Sequence, residues 1–324
     1  VRFAVPAHLD ASALADRDSR ATIGKLAGET MGTTWSVQFA TRPHIDAARI
    51  RVLIEARLAD IVAQMSHWEP ESLLSQFNRA DGGQWTTLPV DFTTVMAKGM
   101  AIAEWSDGAF DPTVGQLVDL WGFGPKGPCP APAPQDIRRG LDRSGWQRLA
   151  YDATTHRIRQ PGGLSLDFSG IAKGYAVDAV ADMLVGQGLR HILVEIGGEL
   201  VGRGMRPDGD PWWVDLENPP GALCAPLRIA LHGLAVATSG TYRRGHHSID
   251  PRTGLPVHNG VVSLSVIDRS ALAADAWATA LTVLGTVAGL NLAAERQIAA
   301  RFVVQQGEIT TEHLSPALKA LMAD

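Results

Sequence analysis

The chain of 324 residues is poor in cysteine, poor in tyrosine and close to balanced in charge. Its two cysteines, Cys129 and Cys224, stand far apart and in no metal-type spacing. They exclude a disulfide framework and a cysteine-ligated metal, and read as free thiols with no support for a bridge between them. A net charge of −5 gives no electrostatic ground for nucleic acid or an anionic membrane as partner. No uninterrupted run of about 18 apolar residues occurs, which argues against a membrane span. The N-terminal stretch carries Asp10, Asp16, Asp18 and Lys25 without an apolar segment of signal-peptide type. The compartment is therefore open: cytoplasmic as the chain stands, periplasmic if Val1-Arg2 is a trimmed start. Internal repeats and a regular βαβα alternation are also missing.

What is present is an ordinary globular mixture, 45% apolar and 19% charged, long enough for one large core or two closely packed lobes. Nine tryptophans against three tyrosines is an unusual ratio, which buried indoles explain as readily as ligand stacking does. Residues 1–28 read as a polar arm, followed by a first strand at Thr33–Phe39. Ile50, Leu53, Ile54, Leu58, Ile61, Val62 and Met65 recur at three and four, predicting a helix from Asp46 to His67. Further helices are expected over Asp91–Trp105, from Ile171 to Gly186 or Gly188, and from Ala271 to about Leu284. Residues 122–134, GFGPKGPCPAPAP, are dense in breakers and read as a loop. Strand-like runs cover Ile192–Ile196, Trp212–Leu216, Leu227–Leu231 and Val261–Val266, with a last strand at Phe302–Gln306. The expected class is α+β, with mixed or mainly antiparallel sheets and flanking helices.

Six segments hold more polar groups and glycines than a core needs. MGTTW at Met31 places a glycine at a strand entry, either a plain turn or a close approach to a ligand. The stretch from Met65 to Asn78 ends a helix, with Trp68 as its one notable aromatic. The loop DGAFDPTVG from Asp107 serves equally as structure or as ligand-facing backbone. In LDFSGIAKGYAVD a strand is expected to deliver Asp167, and a helix then starts with Lys173 in its first turn. Helix N-terminal amides and a lysine there suit a phosphate, although the spacing is not that of a Walker A loop. Arg243, Arg244, His246 and His247, beside the turn Asp250-Pro251, could bind phosphate and move a proton. Asp275 and Thr279, four apart on a helix of small residues, form either an exposed polar pair or a hard-oxygen site for a cation such as Mg²⁺.

Taken in order, MGTTW, MSHWEPESLLSQFN, DGAFDPTVGQLVDLWGFGP, LDFSGIAKGYAVD, VEIGGEL, ATSGTYRR, HSIDPRTG and AADAWATAL resemble the ApbE family of FAD:protein FMN transferases. The resemblance covers Met31 to Leu281. It implies one flavin transferase domain over 29–324, with two closely packed lobes and the flavin site between them. It implies FAD contacts at Met31, Trp68, Ala109, Phe110, Asp111, Asp167, Lys173 and Ile249. It implies a Mg²⁺ site from Gly170 (by its carbonyl), Asp275 and Thr279, and a proton acceptor at His247, with Asp250 the next candidate for that role.

The implied reaction moves FMN from FAD to a Thr or Ser hydroxyl of an acceptor flavoprotein and releases AMP. Two alternatives remain beside it: FAD hydrolysis to FMN and AMP, and FAD binding without turnover. The stretch between SGTY and HSIDP is shorter than the family commonly shows. Many members are exported lipoproteins with a lipid-bearing cysteine near the start, whereas no cysteine precedes Cys129 here.

Overall fold

The computed structural model describes residues 1–6, 10–41, 45–245 and 247–322, and leaves aside the side chains of Arg243 and Arg244. Eight antiparallel strands form its main sheet, in the spatial order Ile309–Leu314, Ala299–Gln306, Val261–Asp268, Leu234–Gly240, Glu199–Arg203, Ile192–Ile196, Thr33–Thr41 and Thr22–Thr30. A three-stranded sheet runs Arg2–Ala4, Leu227–Leu231, Trp212–Asp215, its first pair parallel and its second antiparallel. The architecture is α+β with mixed and antiparallel sheets, as expected.

Successive side chains on a strand point to opposite faces, and here both faces are covered. Ile192, Val194 and Ile196 enter one core while Leu193 enters the other. Ala235 and Ala237 face the first core, Val236 the second. Central strands buried on both sides read in sequence as short unbroken apolar runs. Over the first face lie the helices Ala172–Gly186 and Ala271–Glu295, packed on each other and on the sheet. The helices Ala47–Met65 and Val90–Trp105 cover those two in turn. In Ala47–Met65 the buried positions are Ile50, Ile54, Leu58, Ile61 and Met65. Burying each is worth about 2 kcal/mol, well above the roughly 0.5 kcal/mol by which isoleucine disfavours a helix. Asp46 closes its N-terminus by accepting from the Arg49 amide at 3.0 Å.

Several expectations need correction. Residues 1–28 are not a free arm: Arg2–Ala4 and Thr22–Thr30 are both strands in sheets. Strand Thr22–Thr30 was hidden by its glycines, which seat the aromatic rings of the neighbouring strand. A Cβ on Gly24 would lie 2.8 Å from the Phe39 ring, and one on Gly28 2.6 Å from Trp35 Nε1. Strands Glu199–Arg203, Leu234–Gly240 and Ile309–Leu314 were not anticipated, and the last displaces Phe302–Gln306 as the final strand.

The expected end of a helix near Leu284 falls on a kink at Gly285 (φ 74°), after which the helix resumes to Glu295. Asn259 donates to the Thr282 carbonyl freed there, at 2.8 Å. This helix is long and apolar enough to cross a membrane, but 72% of its apolar window is buried inside the protein. An apolar surface all round is what a middle layer requires.

Candidate active site

A cavity of about 470 Å³ draws its walls from both cores, with Phe110 from the first and Leu216 and Val236 from the second. Of the residues expected at the site, Ala109, Phe110, Asp111, Asp167, Gly170, Lys173, His247, Ile249, Asp275 and Thr279 line it. Met31, Trp68 and Asp250 do not.

The floor is built where two loops are stitched together. Asp167 donates its amide to the Pro112 carbonyl at 2.8 Å, and Gly115 donates to the Ser165 carbonyl at 3.0 Å. Asn78 clamps Leu166 from both sides, accepting from its amide at 2.7 Å and donating to its carbonyl at 2.9 Å. The segment that carries Asp167 is thus held by side-chain and loop contacts rather than by the expected strand. The Asp167 carboxylate accepts from the Ser169 amide at 2.7 Å and shapes the turn into the helix. Asp111 lines the cavity, and its carboxylate is held by Thr113 of its own loop and by the remote Trp146 amide. It accepts from the Thr113 amide (2.8 Å), the Thr113 hydroxyl (2.6 Å) and the Trp146 amide (3.0 Å), while burial raises its pKa.

At the next corner the Lys173 helix crosses the Asp275 helix. A Cβ on Gly174 would fall 2.2 Å from the Ala271 carbonyl oxygen, so only glycine permits this approach. The Gly174 amide donates to Asp275 at 3.0 Å, and the Ala172 amide donates to the Phe168 carbonyl at 2.8 Å. Those two amides are satisfied by the protein itself, so the anion character of the corner rests on the Lys173 side chain more than on the helix terminus. Asp178 of the first helix caps the second, accepting from the Ala271 and Leu272 amides at 3.0 Å each.

The Lys173 ammonium lies 2.6 Å from Glu199 Oε1, whereas Glu199 Oε2 is buried with no hydrogen-bond partner among the described residues. Burial first, then repulsion from Asp275, push the Glu199 carboxyl up to about 7 against the opposing pull of Lys173. Asp275 is raised by the same burial, again opposed by Lys173. Beside them the Thr279 hydroxyl faces the Gly170 carbonyl at 3.5 Å. A Cβ on Gly170 would lie 2.6 Å from Thr279 Oγ1, so the bare backbone keeps the two oxygens adjoining. No cluster of three or more His, Cys, Asp or Glu suited to a metal occurs among the described residues. A carboxylate, a hydroxyl and a carbonyl are nonetheless hard oxygen donors. They fit a cation such as Mg²⁺, which takes few protein ligands and keeps several waters.

On the cavity wall, His247 Nδ1 lies 3.0 Å from the Gly245 carbonyl. A carbonyl only accepts, so in the neutral ring it is Nδ1 that carries the proton and Nε2 that has the lone pair. Asp250 is engaged elsewhere: Arg252 donates to both of its oxygens at 2.9 Å. The turn after it is fixed to the LWGF segment, because Trp121 Nε1 donates to the Gly254 carbonyl at 2.7 Å. His246 lies outside the described residues, as do the side chains of Arg243 and Arg244.

Met31 sits at φ 50° beside Gly32 at φ 70°, the two positive-φ positions of a hairpin turn whose Thr30 and Thr33 pair directly. Trp68 is 60% exposed and packs against His67, which lines a second hollow sharing Asp167 with the first. Sequence reasoning passed over Glu199 and Glu195 as site residues. The signal was there in VEIGGEL: two acidic residues flank a glycine turn (Gly197 at φ 63°, Gly198 at φ 105°) in an otherwise apolar hairpin.

Residues 31–302 match the model of the ApbE family. Curated relatives that carry the name FAD:protein FMN transferase include two at 35% identity. The one from Vibrio cholerae serotype O1 is 35% identical over 309 residues, covering 92% of each chain. The one from Klebsiella pneumoniae is 35% identical over 320 residues, covering 94% of this chain and 90% of its own. The apo crystal structure of the Pseudomonas stutzeri flavinyl transferase ApbE superposes with a TM-score of 0.87 at 36% identity, covering 94% of this chain and 98% of that one.

Proposed function

The chain belongs to the ApbE family, and we propose that it transfers FMN from FAD to a Thr or Ser hydroxyl of an acceptor flavoprotein, using Mg²⁺ and releasing AMP. One observation carries the reading. Lys173, Asp275, Thr279 and the Gly170 carbonyl line the same cavity as His247, so groups for a phosphate and a cation share one space with a base.

The acceptor hydroxyl oxygen forms a new bond to the FMN phosphorus as the bond from that phosphorus to the AMP oxygen breaks. The AMP phosphate leaves with the bonding electron pair. His247 receives the hydroxyl proton on Nε2, while its Nδ1 stays tied to the Gly245 carbonyl and holds the ring in place. Lys173 meets negative charge that grows on the bridging oxygen, and is kept in position by Glu199. The Asp275 carboxylate, the Thr279 hydroxyl and the Gly170 carbonyl would hold the magnesium ion. Once bound, that ion supplies positive charge to the phosphate oxygens.

The test is incubation with FAD, Mg²⁺ and an acceptor flavoprotein, followed by intact-mass analysis. The expected result is an FMN adduct on a Thr or Ser of the acceptor, with one AMP per adduct. Release of AMP and free FMN with an unmodified acceptor would overturn the transfer reading.

A further inference from the structure

The corner that is to take a pyrophosphate is built with surplus negative charge. Among the described residues, the cavity is lined by seven carboxylates and a single lysine. Asp111 accepts from Thr113 and Trp146 and Asp215 is paired with Arg228, but Glu199 and Asp275 both act on Lys173. Lys173 is matched by Glu199 Oε1 at 2.6 Å, so the second carboxylate is left over. Glu199 is only 2% exposed, and its Oε2 has no hydrogen-bond partner among the described residues. A buried carboxylate with an unsatisfied oxygen is costly to keep, and a lysine tether alone does not require it.

We propose that Glu199 is a positioning residue that couples the pyrophosphate of FAD to a divalent cation, so that this corner accepts the two together and resists the pyrophosphate alone. The inference rests on FAD being the ligand of this cavity. With Lys173 already neutralised by Glu199, the Asp275 charge meets an incoming pyrophosphate as repulsion. In a buried site that repulsion is much stronger than in water. A cation at Asp275, Thr279 and the Gly170 carbonyl reverses the sign. Glu199 stands where it can set this balance because it begins a strand directly after the Gly197-Gly198 turn, which fixes its backbone.

The experiment is a flavin-fluorescence titration at about pH 8 with FAD and with riboflavin, each in Mg²⁺ or in chelator. The parent protein is compared with Glu199→Gln. For the parent, FAD should bind about tenfold or more tighter with Mg²⁺ than without. Riboflavin, which has no pyrophosphate, should bind equally in both. Glu199→Gln should raise the metal-free affinity for FAD about tenfold and shrink the Mg²⁺ effect accordingly. Should that variant not fold, Glu199→Ala serves for the same comparison. The proposal is overturned by a parent whose FAD affinity ignores Mg²⁺, by riboflavin responding as FAD does, or by a variant that keeps the parental ratio. If FAD fails to bind the parent under either condition, the ligand assignment itself falls, and this proposal with it.

Discussion

At the scale of single residues, two glycines separate packing from chemistry. Gly174→Ala drives a methyl group to 2.2 Å from the Ala271 carbonyl, and backbone atoms cannot swing aside. The expected loss is about 1–3 kcal/mol of stability together with activity, read by thermal melting and by transfer rate. Gly170→Ala instead meets the Thr279 side chain, at 2.6 Å from its Oγ1, and the atoms nearest to it all belong to that side chain rather than to backbone. That variant should melt near the parental temperature yet lose Mg²⁺-dependent transfer, and a normal transfer rate would remove Gly170 from the cation site. Asp275 has a double duty, since it also accepts from the Gly174 amide. Asp275→Ala leaves that buried amide unsatisfied, at a cost of about 1–3 kcal/mol. Asp275→Asn keeps an acceptor and is the cleaner test, expected to fold and fail in transfer. His247→Ala should slow transfer by about 10²- to 10⁴-fold, the usual share of a general base, while retaining most FAD affinity. Because a base works only when unprotonated, the gap between parent and variant should narrow as the pH is lowered.

Among elements, one polar knot joins three helices around the first core. Arg57 of the Ala47–Met65 helix donates to both oxygens of Asp91 on the Val90–Trp105 helix, and Tyr175 of the Lys173 helix donates to Asp91 as well. The Arg57 hydrogen bond holds the Asp91 carboxyl below its ordinary range, although burial opposes this. A depressed carboxylate stabilises the fold fully above its unfolded value of about 4, and that contribution is lost as the pH falls through the lower folded value. Asp91→Asn should therefore cost about 1–3 kcal/mol at neutral pH. The melting-temperature difference from the parent should close in strong acid. A difference that persists unchanged there would mean the loss is steric rather than ionic. The knot matters to the site because it anchors the helix that carries Lys173.

For the molecule as a whole, the site depends on the two cores being held together, since its walls come from both. A ligand that bridges them should stabilise the entire fold by mass action, by about 2.7 kcal/mol at a hundredfold excess over Kd. FAD with Mg²⁺ is expected to raise the melting temperature by several degrees, and by more than the sum of either alone. A purely additive shift would count against joint binding.

Local patterns in the sequence determined the four longest helices and six of the sixteen strands among the described residues. Ile50, Ile54, Leu58 and Ile61 carry the helical period, Asp46 supplies a cap, and runs such as Ile192–Ile196 betray a strand buried on both faces. Asp275 and Thr279 were likewise legible as a pair, because four residues is one helical turn. What the tertiary structure alone decided is which groups meet across distant segments. Asp111 and Asp250 look in sequence like equals of Asp167, yet Trp146 and Arg252 draw their carboxylates into turns. Gly24 and Gly28 read as breakers until Phe39 and Trp35 lie over them. Glu199 gained its place only when a strand and a helix brought it to Lys173. Periodicity records which face of an element is apolar. It holds no record of which polar side chain a remote loop will satisfy, because that depends on distances set after the elements have packed.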